Sequence, residues 1–265
     1  MAAYYFFDTL LPPLQIGKAP EMSWAEFCDL ARQNLSPQDL KQLEALRLWY
    51  DLQNLRQLWT ELPLQPFGNL DQEGLEAAVA TGTLWSPPVD DFLFAYKETD
   101  ARLFHLPELL TQYLETLREK AKGFLKWLGE FERQLRLVLV ALRARAQGLD
   151  LVEAFRFEDP RDPFVAFLIA QKSNERIMPP LGFEEVDRLW QHYQHEPLQL
   201  AEGLLKFKMT AIEEAFRDRR FTLDHVLGYA QRLILIEQMW LGDQQKAQAV
   251  VNGWLRQLPS APRGR

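Results

Sequence analysis

The sequence predicts an all-α protein, and three observations carry that expectation. There are 46 Leu against 25 Val, Ile and Thr together; leucine favours helix, whereas the β-branched residues favour strand. Helix-start signals recur along the chain, each just ahead of apolar residues spaced three and four apart. The longest such stripe, between Leu106 and Gln147, keeps a near-heptad step throughout.

The elements follow in order. Ser23 and Glu26, three apart, form a capping box that opens a helix to about Asn34, with Trp24, Phe27, Cys28 and Ala31 on its apolar side. Ser36-Pro37 reads as an N-cap followed by proline at the first helical position. The apolar period then runs through Leu40, Leu43 and Leu46 to Leu55, Leu58 and Leu62, and Asp51 and Asn54 mark a break between two helices. Pro63 and Pro66 end that unit. Asp71 to Ala80 makes a short helix closed by Gly82, and Val89 to about Glu98 makes another.

From Leu106 to Gln147 the stripe predicts one long central helix, capped by Gly148. At 1.5 Å per residue it would be a rod of roughly 60 Å, longer than the roughly 45–50 Å diameter of a compact chain of this size. The molecule should then be elongated, or the rod should bend at Gly123 or Gly129. Asp162-Pro163 starts a helix to Gln171, Phe183 to about His195 forms the next, and Pro197 opens one to about Arg217. Thr222 begins another through Trp240, Gly242-Asp243 breaks it, and a last helix reaches Leu258. Residues 259–265 should form a flexible tail.

Composition narrows the function. One cysteine, Cys28, excludes an intramolecular disulfide and a cysteine metal cluster. A net charge of −7 disfavours a general nucleic-acid binder. The N-terminal residues lack the basic lead-in of a targeting signal, and no apolar run approaches the roughly 20 residues needed to span a bilayer. A cytoplasmic protein is therefore expected. There is no G-x-x-x-x-G-K-[ST] loop and no G-x-G-x-x-G turn, so no nucleotide chemistry, cofactor or metal is expected.

His192 and His195 share a helix face at i and i+3, a spacing that can hold a metal. Without an H-E-x-x-H pattern or a third ligand they read as solvated side chains near a helix end, the rival being an unrecognised metal site. Cys28 reads as a buried, inert thiol. Asp90-Asp91, Glu184-Glu185 and Glu213-Glu214 are adjacent pairs that do not face each other on a helix. Glu237 is either a buried carboxylate with an arginine partner or part of a polar helix face. Arg143 and Arg145 near one helix end, and Arg217, Arg219 and Arg220 in one turn, are either solvated termini or contacts for an acidic partner. They are the candidate partner-contact residues.

Several stretches carry a resemblance. Tyr4-Tyr5-Phe6-Phe7-Asp8-Thr9-Leu10-Leu11-Pro12, Leu35-Ser36-Pro37-Gln38-Asp39-Leu40 and Tyr50-Asp51-Leu52-Gln53-Asn54-Leu55 resemble an uncharacterised bacterial family encoded with V-type ATPase subunits. The stretch from Trp127 to Arg136, ending in Leu142-Arg143-Ala144-Arg145, and the stretch from Asp224 to Glu237 are similar to the central-stalk component of rotary V/A-type ATPases that is lettered C in prokaryotes and d in eukaryotes. The resemblance implies a funnel-like, multi-bundle helical architecture, with related bundles at about 1–66, 67–180 and 181–258. It further implies a non-catalytic central-stalk role: binding the shaft protein and the membrane rotor ring, and meeting the membrane only through that complex. A helical scaffold or regulator unrelated to the motor is the alternative.

Overall fold

The computed structural model describes residues 2–82 and 87–240. Among the described residues there are twelve helices and no strand. In chain order they are α1 (Ala2–Leu10), α2 (Trp24–Asn34), α3 (Pro37–Trp59), α4 (Gln72–Thr81), α5 (Pro87–Ala95) and α6 (Thr99–Lys120). They continue with α7 (Gly123–Ala146), α8 (Leu151–Ala154), α9 (Pro163–Ile169), α10 (Glu184–Tyr193), α11 (Pro197–Phe216) and α12 (Leu223–Trp240). The expected last helix to Leu258 and the tail 259–265 lie outside the described residues.

Local signals set most of the starts. The Ser23 hydroxyl accepts the Glu26 N–H while Glu26 Oε2 accepts the Ser23 N–H at 2.8 Å, a complete capping box. Side chains of Ser36, Asp71, Asp150 and Asp162 accept N–H groups at the starts of α3, α4, α8 and α9. Gly82, at φ +63°, closes α4.

The structure corrects the long central helix of about 106–147. The segment is an antiparallel hairpin of α6 and α7, folded at Ala121 and Lys122, whose backbones are extended. Gly123 adopts φ +55°, which no helix interior accommodates. Asp224 of α12 accepts the Phe124 N–H at 2.7 Å and so caps α7 from another element. A Cβ on Gly123 would collide with that carboxylate. Across the hairpin Arg133 pairs with Glu115 (2.8 Å) and Arg118 with Glu130 (3.7 Å). The heptad-like stripe is thus two seams that face each other. Pro107, which the stripe passes over, sits inside α6; its carbonyl accepts from the Thr111 hydroxyl at 2.9 Å.

The expected break at Asp51 and Asn54 is also corrected. α3 runs unbroken through both, and both side chains are buried against the loop that follows. Asp51 accepts the N–H groups of Asn69 (2.9 Å) and Leu70 (3.1 Å), and the Asn54 amide exchanges two hydrogen bonds with the Gln65 backbone. Their polarity satisfies a buried loop rather than ending a helix.

Buried apolar residues form two clusters. One joins α1–α6, the first half of α7, the second half of α11, and α12. The other joins the second half of α7 (Leu135–Ala144) with α8, α9, α10 and the start of α11. α7 belongs to both cores and touches α6, α8, α9, α10 and α12, so it is the spine of the body. Its buried charges are paired. Arg133 meets Glu158 and Asp162, each at 3.4 Å. Arg136 pairs with Glu158, which also accepts the Thr111 hydroxyl at 2.6 Å, and Glu132 accepts from Lys208 at 2.7 Å.

Candidate partner-docking surfaces

The five candidate arginines fall into two groups that the fold separates. Arg217, Arg219 and Arg220 occupy the turn between α11 and α12, beside the start of α7, because Arg219 pairs with the same Asp224 that caps Phe124. Arg143 and Arg145 lie in the last turn of α7. At 1.5 Å per residue the two groups stand about 30 Å apart along that helix.

At the turn, two arginines are engaged with acids set behind them. Arg219 Nη1 lies 2.9 Å from Asp224, with the arginine side chain 56% exposed and the aspartate 24%. Arg220 Nη2 lies 3.5 Å from Asp8 of α1, with exposures of 64% and 0%. The imidazole of His225 also faces Asp8. Arg217 is exposed. Arg219 lies over the Phe216 ring and Arg220 over the Phe221 ring, each at 5.4 Å. Phe221 holds φ +63°, a left-handed conformation that is strained for an aromatic residue, and its ring packs at 4.9 Å on Tyr5 of α1. Tyr5 and Phe6 are both exposed.

At the far end, Arg145 is a structural residue. Its Nη2 donates to the carbonyls of Gln171 (3.0 Å) and Lys172 (2.8 Å), which neutralises the carbonyls beyond α9. Gln171 is buried and pins the next loop: its Oε1 accepts the Met178 N–H at 2.7 Å and its Nε2 donates to the Met178 carbonyl at 3.2 Å. Ile177 is buried while Met178 and Leu181 point outward, Leu181 at 92% exposure. An anchored loop that displays apolar side chains is suited to contact with another surface. Composition does not reveal Tyr5, Phe6, Phe221, Met178 or Leu181, because each lies in a segment whose spacing also fits a core. The Pro179-Pro180 pair is the one local cue that Leu181 stands in a stiff loop.

The remaining candidates resolve individually. His192 and His195 are exposed, and no group of three or more His, Cys, Asp and Glu among the described residues is placed to share a metal. Cys28 is buried, and burial pushes its thiol up. Glu237 accepts the Trp24 N–H and so caps α2; burial raises its carboxyl, and the Trp24 bond pulls the other way. No helix of the described residues is long and apolar enough to cross a membrane.

An uncharacterised protein of Chlamydia muridarum is 27% identical over 259 residues, covering 95% of this chain and 97% of the relative. Another, of Chlamydia trachomatis, is 28% identical over 257 residues, covering 94% and 96%. No solved structure matches the chain. A family model described as "Protein of unknown function (DUF2764)" matches residues 1–257, and the chain belongs to that family.

Proposed function

We propose that this protein is a non-catalytic coupling subunit of a V/A-type rotary ATPase, joining the shaft to the membrane rotor ring. The observation that carries the reading is the separation of two exposed surfaces by one helix: the aromatic and arginine turn at one end of α7, and the Met178–Leu181 loop beside Arg145 at the other. A linker between two proteins needs two faces on a body that does not yield between them. α7 supports that stiffness by belonging to both cores. The residue-level resemblance to the central-stalk component of rotary ATPases supplies the identity of the partners. On this reading the protein has a funnel-like, bundled form, works on the cytoplasmic side and meets the membrane only through the complex.

The stiffness does not rest on an unbroken rod, since residues 106–147 form a hairpin. The same observation favours a second reading, a helical scaffold or regulator unrelated to the motor, which needs two surfaces but no long spacer. Co-purification of the full chain with the shaft and ring proteins separates the two. The coupling reading expects both partners, with Leu181→Ser and Phe6→Ser each releasing a different one. A chain that recovers neither overturns it.

A further inference from the structure

The turn at the start of α7 carries an inference about the chemistry of one partner. Residues 4–16 of the chain contain a single charged side chain, Asp8, and it is buried. The outward face of α1 is therefore uncharged, and it shows Tyr5, Phe6 and Leu10 to solvent. Soluble surfaces rarely leave adjacent large apolar side chains exposed without a use, and interface cores are enriched in Tyr, Phe and Arg.

The electrostatics beside this face are asymmetric. In the Arg220–Asp8 and Arg219–Asp224 pairs the guanidinium group is outside and the carboxylate inside. Each pair is formally neutral, yet it presents its positive end to an approaching molecule. Arg217 adds a third exposed cation; the exposed acids nearby are Asp218 in the same turn, Glu214 one turn back on α11, and Glu213, which Arg232 pairs. A chain of net charge −7 thus sets three outward guanidinium groups beside its charge-free aromatic face. The strained backbone of Phe221 belongs to the same place: it sets the Phe221 ring between Tyr5 and the Arg220 guanidinium. Strain of that kind is retained where the surrounding structure needs the geometry.

We infer that this surface docks an acidic amphipathic segment of a protein partner, one that places aliphatic anchors on Tyr5 and Phe6 and its Asp or Glu flank on Arg217, Arg219 and Arg220. An anionic bilayer is the poorer occupant, because helices that lie on such a surface carry Lys or Arg on their polar face and α1 carries neither. The inference rests on the two-ended reading and names the chemistry at one of its ends.

The test titrates the full chain with a synthetic amphipathic peptide bearing Leu anchors and Glu flanks, and with the same peptide carrying Lys in place of Glu. Phosphatidylglycerol vesicles and the protein alone at rising concentration complete the set. Expected is binding of the Glu peptide that weakens with salt, falls at least about tenfold in Phe6→Ser and again in Arg217→Glu, and exceeds Lys-peptide binding by a similar factor. Phe6 and Arg217 are exposed, so both variants keep the fold, which circular dichroism verifies. Equal binding of the two peptides, binding of vesicles alone, self-association abolished by Phe6→Ser, or no binding each overturns the inference. Co-purification with rotary-motor proteins is read separately: its loss with peptide binding intact sinks the functional reading, and the reverse sinks this one.

Discussion

The bare α-carbon of Gly129 on α7 packs against Leu117 of α6, so closely that a Cβ at Gly129 would lie 2.7 Å from the Leu117 Cβ and 3.0 Å from the Leu114 carbonyl oxygen. The residue expected to weaken a rod is instead what lets two helices lie together.

Gly129→Ala is therefore expected to destabilise the protein by about 1–3 kcal/mol, as overpacking does in a closed core, despite alanine's better helix propensity. Urea denaturation measures it. An unchanged or raised midpoint would mean that the hairpin seam is looser than described.

Glu158 is the acid that Arg133 and Arg136 share in the interior. Glu158→Ala leaves the buried Arg136 without its carboxylate and Arg133 with only Glu115 and Asp162, and is expected to cost about 3–5 kcal/mol. Asp159→Ala, one residue along and exposed, should change stability by less than about 0.5 kcal/mol. Similar losses for both would show that the interior cluster contributes nothing particular.

Arg145→Met tests whether this arginine serves the fold before any partner. Losing its bonds to the Gln171 and Lys172 carbonyls should cost about 1 kcal/mol globally. The amide of Met178, held by Gln171, should exchange hydrogen faster than in the wild type. Unaltered exchange there would return Arg145 to the purely surface cations.

Glu237 gives a pH dependence of stated sign. Burial raises its carboxyl above the usual 4.5 in the folded chain, with the Trp24 N–H opposing. The folded state then holds this proton more tightly than the unfolded state, so the group stabilises fully below 4.5 and loses that contribution as pH rises through the raised value. Glu237→Gln keeps an acceptor for Trp24 without the buried charge. Its stability relative to wild type should be greatest near pH ~7 and shrink on acidification toward pH ~4.5. A difference that stays flat, or grows on acidification, contradicts the assignment.

Much of the fold was legible because helix caps are local. Ser23 with Glu26, Ser36 with Pro37, and Asp162 with Pro163 each act within one turn of their own position, and each forms the cap its spacing implies. The polar residues inside α3 mislead for the opposite reason. Asp51 and Asn54 break a helix when solvated, but here they bond a loop 11 to 19 residues downstream. Of the candidate arginines, the sequence locates both groups; it does not show that Arg145 is spent on the Gln171 and Lys172 carbonyls, or that Asp8, at the other end of the chain, backs Arg220.

What the sequence determined by itself is the helical class, most helix starts and the acidic balance, since propensity, capping and net charge are properties of neighbouring residues or of plain sums. Tertiary structure alone decided that residues 106–147 fold back on themselves. A stripe of period three and four is identical whether it faces another helix or its own continuation. What breaks the tie is a contact from far along the chain: Asp224 waiting to cap Phe124, with Gly123 free to take the left-handed turn that brings them together.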